Sequence, residues 1–455
     1  MIDTGLNEKN SNREILIAFL TLAWPTVLEQ FLSTILQYVD TAMVGWLGAE
    51  ATATVSLSST YTWLINSVVY AFGVGFLSYI ARAIGEKDSY KVRHAGGQAA
   101  LMVLVTGGFL TIVTQIAAPF MPGWMGADPS IRRDASIYFA VINLPLILRA
   151  SMTIFGAVLR STGDTKTPMK VNVLMNLVNV GLNAVFIYLL GMGAVGAGIA
   201  TAISYSVGGI LMTRAFFKNP ILEFKPAYIK PETRILKDSF QVAIPLMLTQ
   251  IASCGGYIVA ASFVSSMETT IYAAHSIAIT AEQLFYIPGY GMQAAASTLI
   301  GNAIGEGNLR KERVVIRYSL TIIFLIMCVT GTALYLGAGF MMSLFTGEAA
   351  VITIGTGLLR IVAFTEPIFG SAAVMDGIYA GLGNTRYPLA VELVSRWGVR
   401  ILGSWILIHI FSGGIRQVWY AMITDNITKA ALLAIGLLVL LRAQDKKTQT
   451  ANKHN

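Results

Sequence analysis

The sequence predicts an all-α polytopic membrane protein, and three observations carry that prediction. Of 455 residues, 55% are hydrophobic and 12% charged, an apolar content beyond what a globular core accommodates. The apolar residues fall into twelve continuous segments, most of them near or above the ~20 residues that cross a bilayer as a helix. None shows the alternation over about ten residues that a β-barrel wall needs. The chain also repeats itself at a constant offset of 220 residues.

Taken in order, the spans are expected at 15–46, 53–81, 97–121, 135–158, 167–190, 194–215, 238–264, 272–301, 315–345, 350–380, 388–411 and 417–441. Met1 to Arg13 is polar, and the first span is too long for a cleaved signal, so that helix is expected to stay in the membrane. Lys and Arg gather on one side: 24 of the 32 basic residues lie in the tails and alternate turns, against Arg132, Arg133 and Arg416 opposite. The positive-inside rule then makes both termini cytoplasmic, in a multi-pass protein of the cell inner (plasma) membrane. That distribution accounts for the +8 surplus without a nucleic-acid partner. Cys254 and Cys328 both lie in apolar spans and read as small buried hydrophobes, not a disulfide or metal pair.

The repeat is visible in separated blocks. Ala23, Pro25, Leu28 and Gln30 recur as Ala243, Pro245, Leu248 and Gln250, and Ala83-Ile84-Gly85-Glu86 returns as Ala303-Ile304-Gly305-Glu306. Gly163, Thr165 and Pro168 return as Gly383, Thr385 and Pro388. Matched turns at matched helix ends imply two six-helix repeats. Since six is even, the copies share one orientation and a pseudo-twofold axis along the membrane normal. The expected organisation is an N-terminal tail over 1–14, a first lobe over 15–217, a cytoplasmic linker over 218–237, a second lobe over 238–441 and a C-terminal tail over 442–455.

Function is expected where ionisable groups lie at membrane depth, since such groups are costly there unless they face a partner or a wet cavity. Asp40, in Gln37-Tyr38-Val39-Asp40-Thr41, is the foremost. Asp40, Asn183 and Thr201 each lie six or seven residues from the outer ends of the first, fifth and sixth spans. At 1.5 Å per residue this places them in one layer roughly 10 Å below the surface. Asn179 and Asn176 continue an amide stripe down the fifth span, able to accept from a protonated acid or to coordinate Na⁺, or equally to glue helices together. Glu29 stands eleven residues before Asp40 on about the same face, as an extension of a proton path or as an interhelical polar contact.

In the second half Ala260 stands at the equivalent of Asp40. Glu282, Glu366 beside Pro367, and Asp376 are secondary candidates, and Na⁺ is a candidate ligand of either Asp40 or these acids. Glu392, Arg396 and Arg400, like Asp425 and Lys429, follow i, i+4 spacing and read as groups neutralised along one helix face. Met and aromatic residues suit both a pliable cavity for greasy cations and ordinary packing.

The stretches QYVDTAMVGWLG, GEKDSYKVRHAG, LRSTGDTKTP, NLVNVGLNAVFI and GAVGAGIATAIS resemble the multidrug and toxic compound extrusion (MATE) family of bacterial type, as do AHSIAI, LIGNAIGEGN and GLGNTRYP. The resemblance covers nearly the whole chain. It implies a secondary antiporter that exports organic cations and other drugs in exchange for H⁺ or Na⁺, without a cofactor, and working as a monomer. Asp40 matches the family's first-helix coupling aspartate, and Asn179 and Asn183 its polar fifth-helix positions. Where the archaeal and DinF-type branch often has an acid, this chain has Asn183. NorM-type members usually carry an acid in the seventh helix, whereas Gln241 to Ser265 contains none, so that site is not carried over. Glu282, in AEQLFYIPGYG, looks like an acid found in some bacterial members.

Two other classes are weighed. A lipid-linked saccharide flippase of the same superfamily needs a cationic cavity, for which Arg149, Arg360, Arg396 and Arg400 are the available groups; Asp40 argues against it. A membrane-embedded enzyme needs clustered catalytic groups, and the four His at 94, 275, 409 and 454 form no such motif.

Overall fold

The structure, a computed structural model, describes residues 12–454. The expected N-terminal tail therefore lies, except for its last three residues, outside the described residues. The first repeat comprises α1 (Asn12–Gly45), α2 (Ala49–Gly85), α3 (Ser89–Ala117), the short α4 (Met121–Trp124), α5 (Arg132–Asn143), α6 (Leu146–Ser161), α7 (Lys166–Asn183) and α8 (Gly193–Phe217). The second comprises α9 (Thr233–Ser265), α10 (Thr269–Gly305), α11 (Leu309–Ser343), α12 (Ala349–Ala363), α13 (Glu366–Gly381), α14 (Arg386–Glu392), α15 (Leu402–His409) and α16 (Ile415–His454). One π-helical stretch, Ala184–Leu189, follows α7, and another, Leu393–Ile401, joins α14 to α15.

Two of the twelve expected spans are broken. The segment over 135–158 becomes α5 and α6, bent by 47°, and that over 350–380 becomes α12 and α13, bent by 57°. Proline is the cause in both, since Pro145 and Pro367 lack the N–H that would continue the ladder. With each bent pair taken as one span, ten segments are long and apolar enough to cross a membrane. The other two expected spans are α10 and the run from α14 through α15, the latter carrying Glu392, Arg396 and Arg400. The fold class is thus all-α and polytopic, with twelve spans in two series of six.

The repeat extends to the chemistry of the turns. Asp88 caps α3, its Oδ1 accepting from the Lys91 amide at 3.1 Å, and Asn308 caps α11 by accepting from the Lys311 amide at 2.9 Å. The turn before each needs a left-handed residue, Lys87 (φ 57°) in one copy and Gly307 (φ 65°) in the other. In both, the lysine one turn on pairs with the preceding glutamate: Lys91 with Glu86, and Lys311 with Glu306 at 2.6 Å. The backbone amide of Lys91 and the facing ammonium hold the Asp88 carboxyl below its ordinary range, and Glu86 raises the Lys91 ammonium.

The chain packs into two compact units. The first runs up to Gln250 and takes in Ala294–Val315 and Ala380–Gly383; the second is Ile251–Gln293, Ile316–Tyr379 and everything from Asn384 on. The core of the first is built on Phe76, Ile80, Ile154, Leu159, Met212 and Phe216, with Phe155 stacked on Phe216 at 4.0 Å. Small residues let its backbones approach: a Cβ on Gly209 would stand 2.3 Å from the Leu148 carbonyl oxygen. Helix α9 begins at Thr233, inside the linker expected over 218–237, and the part before it, 218–232, is docked on α3. Gln98 donates to the Tyr228 and Lys230 carbonyls at 2.9 and 2.7 Å and accepts from the Glu232 amide at 3.0 Å. The core of the second unit gathers around Trp419, Leu334, Met342 and Leu359. Helix α16 runs on through the expected C-terminal tail to His454.

Candidate functional site

In the first unit α1 and α7 face each other through a ladder of polar side chains with constant separation. Asn172 bonds Glu29, Asn176 bonds Ser33 and Asn183 bonds Asp40, each pair 143 residues apart. A constant difference means that the two helices run parallel and in register. Positions 29, 33 and 40, with Leu36 between, follow the 4-3-4 spacing of a seam between packed helices. Tyr188, in the π stretch after α7, extends the seam by donating to the Met43 carbonyl at 3.1 Å.

At its outer end the ladder closes into a connected set. Asn183 Nδ2 donates to the Asp40 carboxylate and lies 3.4 Å from Asn179 Oδ1, and Asn179 Nδ2 donates to Thr201 Oγ1 on α8 at 3.2 Å. The three residues placed in one layer from span arithmetic, Asp40, Asn183 and Thr201, are therefore joined through three helices, with Asn179 as the link between Asn183 and Thr201. Asn183 is fully buried, and its Oδ1 has no hydrogen-bond partner. An amide turned end for end offers that oxygen instead, so one side chain can donate to a carboxylate or accept from a carboxylic acid. Asp40 is half-buried and, among the described residues, has no cationic partner. Tyr138, on α5, lies within electrostatic reach of it, and Arg149 sits 4.5 Å above the Tyr205 ring with Nη1 unpaired. Sequence reasoning missed both tyrosines; only their position inside polar-poor spans could have flagged them.

The inner end of the ladder differs. Glu29, 7% exposed, receives Arg160 Nη2 on both oxygens, at 2.7 and 3.0 Å, and Asn172 Nδ2 at 2.7 Å. Here the interhelical reading of Glu29 is the one the geometry matches, with its charge answered by a guanidinium. Asn176 joins Ser33 at 3.2 Å and stands apart from the Asp40 set.

The secondary acids all lie in the second unit. Lys429 Nζ is 3.0 Å from both Asp376 Oδ2 and Glu392 Oε2, while Arg396 reaches Glu392 Oε1 at 3.0 Å and Asp425 Oδ2 at 2.9 Å. Arg400 is 3.9 Å from Asp425, and Ser253 donates to Glu392 Oε1 at 2.5 Å. The expectation of pairs within single helix faces is corrected: Glu392 and Arg396 do pair at i, i+4, but Lys429 turns from Asp425 toward α13 and α14. Burial is the physical reason, because carboxylates as enclosed as Glu392 and Asp425 need partners from every helix that walls them in. Glu282 and Glu366 influence each other electrostatically, and Glu366 is 1% exposed with Oε2 lacking a hydrogen-bond partner. Trp419 Nε1 donates to His275 Nδ1 at 3.1 Å. Among the described residues no three His, Cys, Asp or Glu side chains are grouped to hold a metal ion.

Duplicated helical spans with polar groups at membrane depth define the class as a membrane transport protein. Comparison with known proteins agrees. The MatE family model matches twice, over residues 25–185 and 245–406, start points that again differ by 220. The chain belongs to the MatE family. It is 27% identical over 429 residues to a probable multidrug resistance protein NorM of Thermotoga maritima, covering 93% of this chain and 92% of the relative. It is 23% identical to the probable multidrug resistance protein YoeA of Bacillus subtilis, covering 96% and 94%. Among solved structures, a MATE protein in the straight conformation superposes with a TM-score of 0.89 at 24% identity, covering 95% of this chain and 97% of that one. An outward-facing multidrug resistance MATE transporter of the MOP superfamily superposes at 0.90 and 23%, covering 96% and 99%. At these identities the solved structures establish the fold.

Proposed function

We propose that the chain is a secondary multidrug antiporter that exports organic cations in exchange for H⁺ or Na⁺, with Asp40 as the group both cations contend for. The observation that carries this reading is an asymmetry along one ladder: Glu29 has a guanidinium partner, and Asp40 has only a neutral amide. A carboxylate without a resident counter-ion at membrane depth is a place for a mobile one. Asn183, with Asn179 and Thr201 behind it, serves either charge state of the acid. Protonation or Na⁺ binding from outside discharges Asp40 and frees the drug outward, and the ion-loaded, drug-free form returns to release the ion inward. Only such differential binding biases the two access states. In this reading both termini are cytoplasmic, the membrane is the cell inner membrane, the protein works as a monomer, and no cofactor or chemical turnover is involved.

The flippase reading finds less support. Of the four arginines it needs, Arg396 and Arg400 face the Asp425 carboxylate and Arg360 lies 5.5 Å above the Tyr335 ring. Purified protein in liposomes, loaded with a fluorescent organic cation, tests the proposal. An imposed pH gradient or an imposed Na⁺ gradient should each be tried alone, and one of them should drive drug flux. Flux driven by neither would overturn the reading, and the arm that succeeds names the ion.

A further inference from the structure

The buried and half-buried charges that pair in the second unit, among the described residues, are equal in number: Asp376, Glu392 and Asp425 against Arg396, Arg400 and Lys429. Two of these bases are guanidinium groups, whose planar forks spread their charge over several donors. Lys429 is a compact ammonium on a flexible stem, 3.0 Å from a carboxylate oxygen on α13 and 3.0 Å from another on α14. A point charge bridging carboxylate oxygens from different helices is the arrangement an alkali ion takes up. Glu392 is fully buried, and its Oε2 faces the Lys429 ammonium. Asp376 Oδ1 has no hydrogen-bond partner. Ser253 and Arg396 both engage Glu392 Oε1, which leaves Oε2 as the oxygen turned to Lys429.

We infer that Lys429 is a tethered cation filling a latent monovalent-cation site formed by Asp376 and Glu392, and that its presence keeps this site from taking up the coupling ion. The inference rests on the ion-coupled reading above and adds that the Asp376–Glu392 pair is closed to the exchangeable ion. Charge selects the ligand class. Without the ammonium, the three carboxylates of this ion-paired set face two guanidinium groups, an excess of one negative charge that a single alkali ion cancels and a divalent ion overshoots. The same excess explains why the site is closed as the protein stands: a second cation beside Lys429 would be uncompensated.

Binding of radiolabelled Na⁺ or Rb⁺ to purified full-length protein tests this. All forms carry Asp40→Asn, which removes the first unit's free carboxylate. With Lys429 intact, or as Lys429→Arg, saturable binding should be absent. With Lys429→Met or Lys429→Gln it should rise to about one ion per chain, and a further Asp376→Asn should abolish it. Thermal midpoints of the two neutral variants should climb with NaCl while that of Lys429→Arg stays flat. Saturable binding with the ammonium in place, or none in both neutral variants, overturns the inference. So does failure of both neutral variants to fold in molar NaCl, since the alkali ion is expected to replace the missing charge. Because the readout is binding, its failure is separable from a failure of drug exchange by the wild-type chain.

Discussion

The polar atom on which the site turns is Asn183 Nδ2, the one donor between the Asp40 carboxylate and the amides behind it. Replacing Asn183 with Ala leaves a half-buried carboxylate without that donor, a loss of about 1–3 kcal/mol in a buried setting and toward the low end here. Exchange driven by the ion gradient should fall by roughly tenfold, read as initial drug flux in liposomes. Asn183→Asp should instead place a second acid beside Asp40, and the pH midpoint of transport should move upward, because two neighbouring carboxylates resist losing both protons. An unchanged midpoint would mean that residue 183 does not face Asp40. This part of the site was legible because depth along three spans is simple arithmetic: Asp40, Asn183 and Thr201 fall in one layer by counting, and Asn179 lies one helical turn from Asn183 on the same face. The partner of Glu29 was not legible, since Arg160 lies 131 residues away on a span whose rotation no pattern in the sequence fixes.

Among the helices, α1 is held to α6 and α7 by the Glu29–Arg160–Asn172 cluster at one end and by Asp40–Asn183 at the other. Removing Arg160 alone strands a buried carboxylate, and Arg160→Met should destabilise the detergent-solubilised protein by about 3–5 kcal/mol. The double variant Glu29→Leu/Arg160→Met should recover most of that loss in a thermal unfolding cycle; additive losses would show that the two groups act independently. At the start of α3, Asp88→Ala removes an N-cap and should cost about 0.5–1 kcal/mol, the low end because the carboxylate is solvent-screened. The Asp88 carboxyl is held below its ordinary range, so its contribution exists above the unfolded value and disappears as pH falls through the folded one. The gap between wild-type and Asp88→Ala midpoints should therefore be present at neutral pH and close in acid. Helix existence was legible from apolar runs, and the repeat from matched turns; the caps at Asp88 and Asn308 came from the structure. The breaks at Pro145 and Pro367 and the second unit's network were not. A helical wheel assigns Lys429 to Asp425 on its own face, and only the approach of α13 and α14 turns it away.

In the whole molecule the offset of 220 residues reappears as a local exchange symmetry at the ends of α2 and α10, both within the first unit. A Cβ on Gly85 would lie 2.2 Å from the Asn302 carbonyl oxygen, and one on Gly305 would lie 2.0 Å from that of Arg82. Residues 82 and 85 are the repeat counterparts of 302 and 305, so each copy offers the other the same glycine and the same carbonyl. Gly85→Ala and Gly305→Ala should each cost about 1–3 kcal/mol by overpacking and should impair folding alike; a harmless Gly85→Ala beside a damaging Gly305→Ala would contradict the symmetry. What the paired halves do for function depends on Asp40, the acid of the α1–α7 ladder that lacks a cation of its own. Drug flux by Asp40→Asn protein in liposomes under the driving gradient decides the matter, with Glu29→Gln protein measured beside it. With Asp40 as the uncompensated acid, Asp40→Asn should lose gradient-driven exchange while remaining folded and able to leak drug down its own gradient; exchange at the wild-type rate would contradict that role.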